Sequence, residues 1–163
     1  GRVAPLLKGG GQERGIRPGT LPTHQIIGMA AAFRLASKQI KKDFKHIEEC
    51  RSFFLESISS IQNLQVNTNN NSTYPGIISI CLPGLDAESI IFGMNQVALS
   101  KGSACTSDND EPSHVLKSMG LNQEEIRGTL RISFGRQTTM DEISIAADSL
   151  IKIVKHLNSI KGL

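Results

Sequence analysis

Thr129-Leu130-Arg131-Ile132-Ser133-Phe134-Gly135 alternates polar and apolar side chains residue by residue. A period of two predicts a strand with one covered and one open face. Leu130, Ile132 and Phe134 are expected to face the core, and Arg131 and Ser133 the other side. An arginine in mid-strand, opposite a core face, either points to solvent or waits for an anion. The pattern alone leaves both open. A second, β-branched run, Gly76-Ile77-Ile78-Ser79-Ile80-Cys81-Leu82, predicts another strand with Cys81 as a packing residue. Pro83-Gly84 then turns the chain, Asp86 is expected to cap a helix reaching about Met94, and Gln96 to Ser100 reads as a third strand. Short strands of this kind can pair antiparallel. The expected fold is α+β: one small antiparallel sheet backed by long helices.

The helices are announced by apolar spacing. From Pro22, placed as a first-turn residue, Ile26, Ala30, Phe33, Ile40, Phe44, Ile47, Phe54, Ile58 and Ile61 recur at helical intervals along one face. Cys50 falls on that stripe and is expected in the core. So long a pattern predicts a kink or break, with one segment leading from one domain into another. Pro112 is expected in the first turn of a helix that Met119-Gly120 ends. Asn122 with Glu125, and Thr139 with Glu142, have the spacing of capping boxes. Ile143, Ala146, Ala147, Leu150, Ile153, Val154 and Leu157 then line one face of the terminal helix.

Composition narrows the function classes. The net charge of +3 comes from 18 basic and 15 acidic residues spread along the chain, with one Tyr and no Trp to stack on bases. That balance argues against nucleic acid. No apolar run approaches the roughly 20 residues of a membrane span. Gly1-Arg2-Val3-Ala4-Pro5 has neither an initiator Met nor the shape of a signal peptide, and reads as the middle of a longer chain. Three cysteines, at 50, 81 and 105, leave one unpaired in any scheme and favour free thiols in a reducing compartment. The four histidines (24, 46, 114, 156) lack metal-ligand spacing, so no metal is expected.

Two loops stand outside these patterns. Ser100-Lys101-Gly102-Ser103-Ala104-Cys105-Thr106-Ser107 sets a cysteine among small residues that anchor the backbone weakly. Cys105 is either a working thiol or an ordinary loop cysteine. Lys101 and a following helix start would lower its pKa, while nearby acids oppose them, and His114 is the candidate partner for a dyad. Residues 8–20 (Lys8 to Thr20) are rich in glycine. Their spacing fits neither common phosphate-loop pattern. What remains is a tight loop whose two arginines and threonine could meet an anion, or a solvated basic turn.

Taken together, Gly-Gly-Gly-Gln-Glu-Arg-Gly-Ile-Arg-Pro-Gly-Thr (9–20), Ser-Lys-Gly-Ser-Ala-Cys-Thr-Ser (100–107), Glu-Pro-Ser (111–113) and Leu-Arg-Ile-Ser-Phe-Gly (130–135) occur in an order that resembles the pyridoxal-phosphate cysteine desulfurases of iron–sulfur cluster assembly. The resemblance is to their C-terminal portion and runs from about residue 8 to the end. It implies the C-terminal part of a fold-type I transferase, with residues 1–40 a remnant of the large cofactor domain and residues 41–163 the small domain. By position, Cys105 would be the nucleophile that takes the sulfur of L-cysteine as a persulfide, leaving L-alanine. Arg131 would bind the substrate carboxylate, and Thr20 the pyridoxal 5'-phosphate phosphate across a homodimer interface. An iron–sulfur scaffold protein and other sulfur acceptors are the implied partners, in bacterial cytoplasm or mitochondrial matrix.

One departure from the family pattern is as informative. The family joins its cofactor to a lysine that follows a histidine, upstream of the Gly-rich loop. This chain has no His-Lys pair, and neither Lys8 nor Lys101 matches that motif. The isolated chain is therefore expected to be inactive. The competing expectations are a sulfur-relay or scaffold-binding module with no cofactor chemistry of its own, a selenocysteine lyase, and a redox-sensor domain.

Overall fold

A computed structural model describes residues 4–68, 73–101 and 112–162. In chain order its elements are a 3-10 turn Glu13–Gly15, α1 Thr23–Ser57, β1 Gln65–Val66, β2 Ile77–Cys81, α2 Ala87–Gly93, β3 Ser100–Lys101, α3 His114–Ser118, α4 Gln123–Arg127, β4 Thr129–Ser133 and α5 Met140–Lys161. The chain divides into two compact units, Gly1–Lys41 and Lys42–Leu163.

The first unit holds the Gly-rich loop and the N-terminal part of α1. None of its described residues is buried. Leu6, Ile27, Met29 and Phe33 are 100, 67, 64 and 72 % exposed. A segment this apolar with nothing buried has no core of its own, which no independently stable domain can tolerate.

The second unit is built on a four-stranded antiparallel sheet of order β1-β2-β4-β3. In β4 the predicted alternation is realised: Leu130 and Ile132 are buried while Arg131 and Ser133 are exposed. Ile78 pairs with Ile132 and Ile80 with Leu130, so the apolar rows of both central strands coincide. Onto that face pack Ile47, Cys50, Phe54 and Ile58 from α1 and its continuation, with Ile143, Ala147, Leu150 and Val154 from α5. Gly128 lets β4 begin hard against β2, because a Cβ there would collide with the Leu82 carbonyl oxygen.

Several expectations need correction. α1 is one uninterrupted helix of 35 residues. Gly28 is the sole residue within it that breaks helices by nature, and no proline interrupts it. Its stripe is not a continuous core face either: Ile26, Ile40 and Phe44 are 41, 52 and 40 % exposed, and burial starts at Ile47. Pro22 lies just before the helix, where its carbonyl accepts from the Ile26 N–H. Pro112 likewise precedes the cap of α3, which is Ser113. The third strand is only Ser100–Lys101, because Val97 turns back to bond the Met94 carbonyl. β1 escaped prediction, since two residues carry no period.

The caps hold as predicted. Asp86 accepts from the Ser89 N–H at 3.0 Å, and both Asn122–Glu125 and Thr139–Glu142 form complete capping boxes. At α5 the Thr139 N–H and hydroxyl donate to Glu142 Oε2 at 2.8 and 3.0 Å. Those two bonds hold the Glu142 carboxyl below the usual glutamate range. A folded pKa below the unfolded one means the stabilisation is present above the unfolded pKa and lost as pH falls through the folded one. Thr139→Ala is expected to cost about 1 kcal/mol at neutral pH, as N-cap losses do. In urea titrations its deficit against wild type should shrink in acid; a deficit unchanged between neutral and strongly acidic pH would contradict the reciprocal box.

Candidate functional site

Arg131 occupies the middle of β4, on the sheet face turned away from the core. Its cross-strand neighbours are serines on both sides, Ser79 of β2 and Ser100 of β3. Phe134 N–H donates to the Gly76 carbonyl and Leu82 N–H to the Gly128 carbonyl. Hydrogen-bonded and non-bonded pairs alternate along an antiparallel ladder, so these two bonds make Ser79–Arg131 a non-bonded pair, with side chains at their closest. Arg131 is exposed and forms no ion pair with another described residue. On the Cys81–Thr129 side the same face is closed by α4, whose Glu125 carbonyl accepts from Cys81 Sγ at 3.1 Å and Thr129 Oγ1 at 2.7 Å. A cationic fork thus stands on an otherwise uncharged row of hydroxyls. Such a fork suits a carboxylate or phosphate.

This is an open surface rather than a cavity. A cleft of about 610 Å³ runs between α2 and α5, past Phe92 and His156, and Arg131 does not line it. A second, apolar cleft of about 530 Å³ near Val97 and Ile145 also excludes Arg131.

The cysteines separate by environment. Cys50 and Cys81 are fully buried, as their spacing predicted, and both thiols are free. Burial pushes the Cys50 thiol up, and the neighbouring Glu49 charge adds to it. Burial likewise raises Cys81, against a smaller lowering by the neighbouring Thr129 side chain. Cys50 Sγ lies 3.5 Å from His46 Nε2, which is itself 2.8 Å from the Thr138 carbonyl. Both are protonated packing thiols at neutral pH, the inert kind. Cys105 lies outside the described residues. So does its half of the Cys105–His114 dyad; His114 itself is exposed at the start of α3. Lys101, at the near edge of the Cys105 loop, pairs with Glu88 of α2. Its charge is therefore partly taken up.

Thr20 sits exposed at the end of the Gly-rich loop, in the first unit. Gly19, at φ 103°, adopts a backbone that side chains disfavour. Its N–H donates to Gln12 Oε1 at 3.2 Å and its carbonyl accepts from Arg17 Nη1 at 3.3 Å. The loop is thus folded on itself just before Thr20. Among the described residues no cluster of three or more His, Cys, Asp or Glu could hold a metal ion, and no helix is long and apolar enough to cross a membrane.

The class-V aminotransferase family matches residues 7–145. The chain is 43 % identical over 151 residues to cysteine desulfurase IscS of Neisseria meningitidis serogroup C, covering 93 % of this chain and 37 % of that protein. Against cysteine desulfurase IscS of Buchnera aphidicola it is 38 % identical over 162 residues, covering 99 and 40 %. A solved NifS-like protein from Rickettsia africae superposes with a TM-score of 0.81 at 26 % identity, over 94 % of this chain and 41 % of that one. The chain therefore spans about two fifths of the length of its relatives.

Proposed function

The chain belongs to the class-V aminotransferase family, and from that membership we propose that it is the C-terminal portion of a pyridoxal-phosphate-dependent cysteine desulfurase. The observation that carries this reading is the pairing of Ser100 with Arg131. β3, the strand that precedes Cys105 in the sequence, flanks Arg131, which among the described residues is the one cation on the open sheet face. Cys105 follows Lys101 by four residues, a reach of at most about 14 Å. With Cys50 and Cys81 buried and protonated, Cys105 is the thiol left for chemistry.

Arg131 binds the carboxylate of L-cysteine and so orients the substrate sulfur toward the loop. The Cys105 sulfur bonds to the substrate sulfur as the carbon–sulfur bond breaks. The electron pair stays on carbon, which takes up a proton to give L-alanine, and the persulfide on Cys105 passes to an acceptor of the iron–sulfur scaffold kind. Pyridoxal phosphate, when bound, supplies the electron sink this cleavage needs. The residues present fit only its periphery. Thr20 offers a hydroxyl to its phosphate from across a homodimer, while the covalent lysine has no counterpart in this sequence. Residues 1–40 are in this reading part of the large cofactor domain, which accounts for their unburied apolar side chains, and residues 41–163 are the small domain.

The test is reconstitution. The 163-residue chain alone should be colourless and release no alanine from cysteine. Co-expressed with the upstream portion that its relatives possess, it should yield a yellow complex that does both. In that complex Arg131→Ala should raise KM for cysteine roughly 10- to 100-fold, as loss of charge-assisted hydrogen bonds predicts. Robust alanine release by the chain alone, or an unchanged KM, would overturn the reading.

A further inference from the structure

Ser79 is held more firmly than its place on an open sheet face requires. Its carbonyl accepts from the Asn67 N–H at 2.8 Å. Its N–H donates to Thr68 Oγ1 at 2.6 Å. Its hydroxyl oxygen accepts from Asn67 Nδ2 at 3.2 Å. The segment after β1 therefore extends the ladder and grips one serine at three points.

A serine hydroxyl has two acceptor sites and a single proton to give. Asn67 fills one acceptor site, and no described residue accepts the Ser79 proton. The donor is thus left free and its oxygen is fixed, beside the Arg131 side chain in a close, non-bonded cross-strand pair. Ser100, on the other flank, is gripped by no comparable side-chain bond among the described residues. A carboxylate has about four lone-pair sites. An arginine fork uses two of them, which leaves room for a third, neutral donor.

We infer that Ser79 is a second carboxylate-binding residue, donating its hydroxyl proton to the substrate carboxylate that Arg131 holds, with Asn67 as its positioning residue. The inference rests on the desulfurase reading of Arg131 and adds to it the row of side chains that selects an amino-acid carboxylate. A pre-oriented donor is already held in place before binding, so more of its hydrogen bond is realised as affinity.

The experiment is an NMR titration of the labelled 163-residue chain with L-alanine, the product, and with L-alaninamide, which lacks the carboxylate. L-Alanine should perturb the Ser79 amide and the Arg131 Nε–H, and L-alaninamide should not. Ser79→Ala should weaken L-alanine binding by roughly 10- to 100-fold, the worth of one hydrogen bond to a charged group. Ser79→Thr, which keeps the hydroxyl, should stay within about twofold of wild type. Asn67→Ala should weaken binding less than Ser79→Ala, and it provides the readout if Ser79→Ala fails to fold. Arg131→Ala should abolish binding. Wild-type affinity in the Ser79→Ala variant (or, if that is unfolded, in Asn67→Ala), with loss in Arg131→Ala, overturns the role of Ser79 and leaves the desulfurase reading standing. Equal binding of alanine and alaninamide, or no binding of either, overturns both.

Discussion

Replacing Phe54 with alanine is expected to lower the unfolding free energy by about 3–5 kcal/mol. Phe54 is 2 % exposed on α1. Its ring meets Phe134 edge-to-face, at a centroid distance of 5.6 Å and an interplanar angle of 60°. It thus joins the helix to the end of β4. Ala at this position forfeits the transfer energy of the ring and leaves a void between two rigid elements that cannot close over it. A domain of this size has about 5–15 kcal/mol to lose, so the variant should stand close to its unfolding midpoint at physiological temperature. Urea denaturation followed by far-ultraviolet circular dichroism measures the loss. The adjacent Phe53, 38 % exposed, is the control and should cost less than about 1 kcal/mol. Comparable losses at both positions would mean that the helix face has been misassigned.

The second large effect is expected at Cys105. An aromatic disulfide reagent at neutral pH should titrate one thiol of the native chain rapidly, and the other two only on unfolding. Cys105→Ser should remove the fast thiol entirely. Cys50→Ser and Cys81→Ser should keep it. The reason is burial first: both described thiols have no exposed surface, and burial raises their pKa. The sign of the pH effect follows from linkage. A thiol whose folded pKa lies above its unfolded value favours the fold below the unfolded pKa, and that contribution is lost as pH rises through the folded one. Slow thiols that become reactive in alkali together with loss of structure would fit; slow thiols reactive while the fold is intact would not. In the reconstituted enzyme the same Cys105→Ser change should abolish persulfide formation and leave the cofactor colour unchanged. Persulfide surviving in that variant would remove Cys105 from the mechanism.

What the sequence determined by itself was local. The alternation from Leu130 to Phe134, the capping pairs Asn122–Glu125 and Thr139–Glu142, and the packing roles of Cys50 and Cys81 all depend on residues a few positions apart, and all appear in the structure. Family membership was legible for the same reason, since four short motifs in one order need no tertiary information. The tertiary structure decided everything that depends on which segments meet. The apolar stripe of α1 says which side chains share a face; it does not say that only the stretch from Ile47 onward finds a sheet to cover it. Period two says that Arg131 leaves the core face, but only the register sets Ser79 and Ser100 on either side of it. Asn67 and Thr68 became the grip on Ser79 because β1 brought them alongside β2. Cross-strand register is a non-local choice made by burial of Ile78, Ile80, Leu130 and Ile132 together. No window of neighbouring residues contains it.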